Sequence, residues 1–526
     1  MPTKRSALVE IILSALPLVA AIVMLIILRR SGLQASLVTL GVAIGIALTI
    51  PSLRISIANL LIAIGTGISS SLLVLSVLFP ALLLYQLQQA KKGMSVLAEG
   101  IARLCPDRDL LVLLIVLGLA PFVESVSGFG VGTVVVIPIL MAVGFDALQA
   151  ATLGLLGQIA VPWGALAVGT VLGADLTGLN SGTLGAYTAL VTAPLPIMFG
   201  LVALAMSGGR GALRRWWLAA VVAGVVLTGG EWLFSQVPGA ELAGVLASLL
   251  SLALLMLWSY IRLQWLASKA STKVDPTIND TNAQLAYHQQ GRPRAHLADD
   301  PPALWQVIAP YAILTSTLLI SRLVVPLRDW LSSHVVLAIP LIHLSLPLLY
   351  TPGFWLLLAA FSTIPLLHIS RTESWESGVQ TWRQFLPGAV AITCFIAASQ
   401  VMSVSGMTTV LGKAAAMLGG NYGWIAPWLG ALGGWLTGSN AGGNAMFALL
   451  QKEVSTRVAL PLYWIMGAQN GSGSIATMAS PARTILAATA AGLLGKESQV
   501  LQKVGSVVLV AIVVIMLVLV SIVSCF

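Results

Sequence analysis

Long apolar runs without charged residues recur along this chain, and each is near the length that a helix needs to cross a bilayer. That length is about 20 residues. The 526 residues are 58% hydrophobic and only 9% charged, with a mean hydropathy of +0.96. A water-soluble protein could not bury so much apolar surface. The sequence therefore predicts a polytopic membrane protein whose backbone is satisfied within helices.

The apolar runs predict membrane spans on both sides of a central polar stretch. They lie near residues 7–28, 33–50, 65–88, 183–206, 215–234, 240–262, 304–321, 334–350, 353–369, 385–403 and 505–526. Two further apolar regions, 109–172 and 422–491, are interrupted, and hydropathy does not decide whether their parts cross or re-enter. We expect an all-α fold with about 12 to 14 transmembrane helices.

The polar stretch from about Arg262 to Pro302 has few apolar residues to bury and is typical of a flexible linker. We therefore predict a first transmembrane half at 1–262, a polar linker at 263–303 and a second transmembrane half at 304–526. Basic residues concentrate in this linker and in the segments 89–108 and 207–215. Because cytoplasmic loops are rich in Lys and Arg, we place all three segments in the cytoplasm.

Several function classes are disfavoured. The net charge of +9 is explained by basic loops, so no nucleic-acid partner is predicted. Cys105, Cys394 and Cys525 are too widely spaced to suggest a disulfide framework or a zinc site, and no cofactor is predicted. No HExxH, GxSxG or phosphate-loop motif stands in a suitable context, which argues against an enzyme.

Glu124 lies deep within the first interrupted region, between apolar segments. A charge at such depth costs a few kcal/mol or more unless it faces water or a partner. Either Glu124 is a structural carboxylate paired with another span, or it carries or gates a coupling proton. The hydroxyl and glycine residues around it predict a hairpin tip whose amide N–H groups suit a carboxylate anion, although glycine also permits close helix packing. They are Ser125, Ser127, Gly128 and Gly130.

The second interrupted region has two polar clusters in an otherwise apolar setting. Asn, Gln and Ser are costly in lipid but suit a small polar solute, and unwound carbonyls could also coordinate sodium. The residues assigned to substrate binding are Ser439, Asn440, Gly442, Asn444, Gln469, Asn470 and Ser472. Interruptions at corresponding places in the two halves of a membrane protein are a sequence pointer to the substrate site of a transporter.

Arg483 is the only charged residue between Arg457 and Lys496. A guanidinium group can hold a carboxylate through two parallel hydrogen bonds, so Arg483 is a candidate for substrate contact. The alternatives are an arginine at a helix end that reaches the membrane surface, or a salt bridge to Glu124.

These segments resemble the lactate permease family. The resemblance is carried by the segment from Phe122 to Gly130, the segment from Thr437 to Phe447, and a third segment that begins at Ala468 and ends at Ser480-Pro481. It covers nearly the whole chain in length, span pattern and motif order. Ala441-Gly442-Gly443 departs from a more hydroxyl-rich tract, and Arg483 stands where a neutral amide is expected, which would favour a different or doubly charged acid.

The resemblance implies proton-coupled uptake of small 2-hydroxymonocarboxylates, such as L-lactate, D-lactate and glycolate, in a bacterial inner membrane. It also implies a fold of two inverted repeats with re-entrant or discontinuous helices, related to elevator-type carriers. In this scheme Glu124 handles the proton, Arg483 and the tip amides hold the carboxylate, and Asn440, Asn444, Gln469 and Asn470 bind the hydroxyl. The main alternative is a sodium-coupled carrier of another mono- or dicarboxylate. A channel or a membrane-embedded enzyme is a further alternative, and a homodimer is possible.

Overall fold

Helices make up nearly all of the computed structural model, which describes residues 4–28, 30–105, 107–128, 130–271, 301–340, 344–493 and 495–524. This confirms the predicted helical, polytopic fold class. Residues 272–300 of the predicted linker, and Cys525, lie outside the described residues. The division into two halves and a linker stays a prediction.

The helices before the linker include two π-helical turns that continue α-helices and two short 3-10 turns. They are Lys4–Ile22 with Val23–Ile27, Gly32–Thr49, Pro51–Leu53, Ile57–Ala90, Gly93–Leu104, Arg108–Leu114 with Ile115–Leu119 and Ala120–Ser127, Val131–Ala142, Ala147–Leu156, Val161–Trp163, Gly164–Thr177, Ser181–Thr192, Pro194–Phe234 and Ala240–Ser271. A further π-helical turn, Ser235–Gly239, joins the last two.

The helices after the linker are joined by short loops and one small β-hairpin. They are Leu304–Leu323, Val325–Ser333, Pro352–Leu366, Arg371–Val404, Met407–Ala416, the 3-10 turn Gly419–Trp424, Ala426–Thr437, Asn440–Val458, Leu462–Thr477, Pro481–Ala490 and Glu497–Val523. The antiparallel strands Val336–Ile339 and Leu344–Pro347 form the hairpin.

The β-hairpin corrects the predicted span at 334–350. Its residues are as apolar as a membrane helix, but Pro340 and Pro347 interrupt the run, and β-branched residues favour extended backbone. Strand Val336–Ile339 is exposed along its whole length. Hydropathy identifies an apolar segment here but not its secondary structure.

By length and composition, nine helices among the described residues could cross a membrane, or ten if one bent pair counts as a span. The predicted number, about 12 to 14, is higher for two reasons. The helix Pro194–Phe234 folds back at Gly208 and Gly209, so that Gly224 packs against Ile197. Val131–Ala142 and Pro352–Leu366 are apolar but shorter than a full span.

One face of the protein, here called the basic face, gathers the positively charged segments. Asp107 lies 4.0 Å from Arg215 and 3.9 Å from Arg262, and it accepts a hydrogen bond from the Trp216 indole (3.2 Å). The segments 89–108 and 207–215 and the start of the linker therefore share one side of the fold, as the sequence predicts. The cytoplasmic location of that side stays a prediction.

Residues 108–128 and 130–142 form a helical hairpin, hairpin A, whose two ends lie together at the basic face. Arg108, at its start, donates to the Gly144 carbonyl oxygen (3.0 Å), and its guanidinium group lies 4.0 Å from the centre of the Phe145 ring, just past its end. The tip includes Gly128 and Gly130, whose positive φ angles of 66° and 85° glycine adopts without steric cost.

Residues 426–458 form hairpin B, which enters from the opposite face. Its arms touch where Gly433 meets Gly443, and its tip turns at Gly438 with φ of 65°. The second arm runs parallel to the helix Gly164–Thr177, because Gly169 faces Asn440 and Gly173 faces Asn444. That helix leads away from the basic face, so hairpin B is inverted relative to hairpin A.

A discontinuous span follows each hairpin. After hairpin A, Ala147–Leu156 and Val161–Thr177 meet at a 59° bend. Asp146 caps the first of these helices by accepting from the Gln149 backbone N–H (2.8 Å). After hairpin B, Leu462–Thr477 and Pro481–Ala490 are separated by a short break. Each hairpin is thus followed by a discontinuous span, an arrangement that is consistent with the predicted inverted repeats, which stay a prediction.

Hairpin B packs on its discontinuous span through a glycine contact, which gives a stability prediction. A Cβ on Gly434 would lie 1.9 Å from the Gly473 carbonyl oxygen, so Gly434→Ala must force two helices apart. We expect a loss of about 1–3 kcal/mol or more in the free energy of unfolding. The control is Gly505→Ala, where nothing lies within 4 Å. Thermal unfolding in detergent should show a lower midpoint for Gly434→Ala only.

Candidate functional site

The tips of hairpins A and B meet at a small cavity of about 20 Å³. Such a volume holds about one water molecule. Both hairpins and both discontinuous spans contribute to its walls. The lining residues are Glu124, Gly128, Val161, Gly164, Ala165, Val168, Gly169, Ser439, Asn440, Ala441 and Arg483. The site is therefore closed in this conformation, and a larger solute requires the tips to separate.

The Glu124 carboxylate is fully buried in hairpin A and is held by three donors. Arg483 lies 3.1 Å from Oε1. The Gly130 N–H donates to both carboxylate oxygens at 3.2 Å, and the Gly132 N–H donates to Oε2 at 3.4 Å. A guanidinium group and tip amides are the groups that would hold a substrate carboxylate, and here they hold that of Glu124.

Arg483 joins hairpin A, hairpin B and the first discontinuous span. Beyond Glu124, it donates to the side-chain oxygen of Gln158 and, through Nε, to the Gly438 carbonyl oxygen at the tip of hairpin B (3.3 Å). Gln158 in turn donates to the Thr133 hydroxyl in hairpin A. Ser480 starts the helix that carries Arg483 by accepting from the Arg483 backbone N–H (3.3 Å). The two charged site residues, Glu124 and Arg483, thus lie in one buried hydrogen-bond network.

The first discontinuous span has unusual backbone beside this network. Ala165, Leu166 and Ala167 have φ angles of 42°, 56° and 61°, a left-handed turn without glycine. Each such residue costs roughly 1–2 kcal/mol. The turn lies against the tip of hairpin A, since a Cβ on Gly128 would be 2.8 Å from the Ala165 Cβ. Strain of this kind concentrates at functional sites.

A cluster of buried asparagines lies next to the cavity. Asn440 and Asn444 both donate to the side-chain oxygen of Asn470, each at 2.9 Å. Asn444 also donates to the Gly169 carbonyl oxygen in the first half (2.9 Å). The side-chain oxygens of Asn440 and Asn444 are buried without a hydrogen-bond partner in the described structure. These two oxygens are acceptors that a ligand could use.

The predicted site residues fall into three groups. Glu124, Gly128, Ser439, Asn440 and Arg483 line the cavity, whereas Gly130, Asn444 and Asn470 touch those residues directly. The remaining five do not line it. They are Ser125, Ser127, Gly442, Gln469 and Ser472.

Structural contacts account for four of those five. The Ser125 hydroxyl donates to the Pro121 carbonyl oxygen (2.8 Å), and the Ser472 hydroxyl donates to Ala468 (2.6 Å). Gly442 packs on the side chain of Thr437, and its backbone N–H donates to the Ser439 hydroxyl that caps its helix (3.3 Å). The Gln469 side-chain oxygen accepts from Gln451 (2.8 Å), which is also bonded to the Tyr422 hydroxyl. A polar residue beside a helix break can thus stabilise the packing of the helices and make no contact with the solute.

Four residues of the site carry no assignment from sequence reasoning: Gln158, Thr133, Thr170 and Thr188. Gln158 stands beside a helix break, which is a usable signal. The threonines lie within helices, where a hydroxyl often bonds to its own backbone, so sequence does not distinguish them from many others.

Outside this site, Glu231 is a second deeply buried carboxyl group, 1% exposed, and its Oε1 has no hydrogen-bond partner among the described residues. Arg322 is buried and lies 3.6 Å from Glu241. In the described part of the chain, no group of three His, Cys, Asp or Glu side chains could hold a metal ion.

Comparisons with known proteins point to one family. The L-lactate permease family matches residues 10–525. The chain is 25% identical to the L-lactate permease of Escherichia coli (strain K12), over 93% of this chain and 91% of that protein. It is 26% identical both to the glycolate permease GlcA of the same strain, over 94% and 91%, and to the L-lactate permease of Bacillus subtilis (strain 168), over 93% and 92%. No solved structure matches.

Proposed function

The chain belongs to the L-lactate permease family, and from this membership we propose that it imports small 2-hydroxymonocarboxylates together with protons. L-lactate, D-lactate and glycolate are the proposed substrates, since relatives are named for lactate and glycolate. The family and the relatives' names indicate a permease and not an enzyme. We propose a bacterial inner membrane as its location.

The observation that supports proton coupling is that the Glu124 carboxylate occupies the Arg483 guanidinium group and the amide N–H groups of the hairpin tip. A substrate carboxylate needs the same donors, so ionised Glu124 competes with it. When Glu124 takes up a proton, its attraction to Arg483 falls and the donors become available to the substrate anion. Proton and anion then bind together, which is the requirement for symport.

The ion pair between Glu124 and Arg483 also affects whether a singly or a doubly charged substrate is favoured. Arg483 alone suggests a doubly charged acid, but Glu124 balances that charge within the site. A monocarboxylate bound together with a proton on Glu124 leaves the charge of the site unchanged. A dicarboxylate would leave one negative charge buried without a partner, which is costly. The geometry thus favours monocarboxylates.

Alternating access would proceed at the two hairpin tips. They close on the cavity from opposite faces, hairpin A from the basic face and hairpin B from the other. Withdrawal of one tip at a time would connect the site to one side of the membrane only. Inverted repeats of this type support such a mechanism.

Uptake into membrane vesicles tests the proposal. Labelled L-lactate should accumulate above its external concentration under an inward proton gradient, and a protonophore should abolish this. A channel cannot concentrate its solute, so accumulation also excludes a pore. The unpartnered oxygens of Asn440 and Asn444 favour sodium coupling as the second candidate. Accumulation driven by sodium alone would replace proton coupling, and absence of lactate or glycolate uptake would contradict the proposed substrates.

A further inference from the structure

Two threonines of the first half determine which way the buried asparagines point. The Thr170 hydroxyl donates its proton to the Pro162 carbonyl oxygen (2.6 Å), and the Thr188 hydroxyl donates to Leu184 (2.8 Å). Each hydroxyl has a single proton, so each oxygen can only accept from Asn470. The Asn470 amide nitrogen donates to both, at 2.8 and 3.0 Å. The orientation of Asn470 is thereby set.

The orientation of Asn470 also fixes the orientations of the Asn440 and Asn444 side chains. Its oxygen accepts from the amide nitrogens of Asn440 and Asn444. If either amide were flipped, two oxygens would face each other in a buried place. The side-chain oxygens of Asn440 and Asn444 are therefore held away from Asn470. They remain without a donor in the described structure, on side chains only 6% and 1% exposed.

We infer that this chain of hydrogen bonds makes the asparagine side of the site a fixed acceptor of hydrogen bonds, and that Thr170 and Thr188 are its positioning residues. The inference rests on the proposed function. A 2-hydroxy acid can place its carboxylate at Arg483 and donate its hydroxyl proton to Asn440, which lines the same cavity. A 2-oxo acid of the same shape presents a carbonyl oxygen there and cannot donate.

The consequence is selection of lactate over pyruvate, which differ at this position by one hydroxyl group. A site built to bond a hydroxyl rejects the analogue that lacks it, because a buried polar group is then left unpaired. We expect a preference on the order of 10- to 100-fold in uptake efficiency. Without the threonine hydroxyls, the Asn470 amide nitrogen loses both of its acceptors, and Asn470 is no longer held in one orientation. Asn444 keeps its bond to the Gly169 carbonyl oxygen, whereas Asn440 can then turn and offer an N–H group to a carbonyl.

The test compares labelled L-lactate and labelled pyruvate uptake, per folded protein, in the full-length wild type and the Thr170→Val/Thr188→Val double variant. We expect the wild type to prefer lactate. In the double variant the ratio of lactate uptake to pyruvate uptake should be about tenfold lower. Thr170→Ser/Thr188→Ser should restore it. Thr192→Val is the matched control, because its hydroxyl donates to the Thr188 carbonyl oxygen and not to an asparagine.

A purely structural role would lower uptake of both acids equally and leave their ratio unchanged, which would overturn the inference. Equal uptake of both acids by the wild type would also overturn it but leave the proposed function standing. Loss of a sodium requirement in the double variant would show that the oxygens bind a cation instead. Uptake of neither acid by the wild type would contradict the proposed function, and the inference with it.

Discussion

Replacing Glu124 with Gln is expected to abolish proton-driven accumulation of substrate while preserving exchange of substrate for substrate. Glutamine is neutral and nearly isosteric, so it resembles the protonated carboxyl group and no longer competes for Arg483. Substrate binds to both the wild type and the variant, but its binding to the variant does not require a proton. The accumulation ratio under an inward proton gradient should fall to about one, because the coupling free energy is lost.

Two assays on the same vesicles separate coupling from damage. Uptake under an imposed proton gradient reports net symport, and exchange of external labelled lactate for internal unlabelled lactate reports binding and movement of the loaded carrier. Glu231→Gln provides the matched control, because Glu231 is also a deeply buried carboxyl group but does not line the cavity. Concentrative uptake by Glu124→Gln equal to that of the wild type would remove Glu124 from the coupling mechanism.

The location of the site could be predicted from the sequence because its charges are isolated. Glu124 and Arg483 each stand alone in apolar surroundings, and the cost of burying an unpaired charge makes a partner or a function necessary. The salt bridge between them was one of the alternatives that follow from this reasoning, and the structure has it. The repeated order of hairpin and broken span is likewise visible in the spacing of polar interruptions.

Assignments that depend on contacts between distant segments could not be predicted. Gln469 looks like a substrate residue, yet its partner is Gln451 in the second arm of hairpin B. Thr170 and Thr188 have no local signal, since they bond to Asn470 across the two halves. The apolar run at 334–350 has the composition of a span, and hydropathy carries no information on whether prolines and β-branched residues turn it into a β-hairpin.

Replacing Arg483 with Gln is expected to reduce both stability and binding. Arg483→Gln leaves the fully buried Glu124 carboxylate without its cation. Breaking a buried ion pair from one side costs about 3–5 kcal/mol in the free energy of unfolding. The substrate carboxylate loses the same partner, and charge-assisted hydrogen bonds contribute about 1.5–3 kcal/mol each, so affinity should fall by about 10- to 100-fold. Thermal unfolding in detergent and lactate exchange measure the two effects.

The double variant Glu124→Gln/Arg483→Gln distinguishes the two losses. With both charges gone, no unpaired charge remains, so most of the lost stability should return. Exchange should not return, because the substrate carboxylate still has no guanidinium group to bind. Arg322→Gln is the control for a buried arginine outside the cavity, since Arg322 pairs with Glu241, and its exchange rate per folded molecule should match the wild type. Exchange by the double variant at the wild-type rate would mean that Arg483 only neutralises Glu124 and that the tip amides alone hold the substrate.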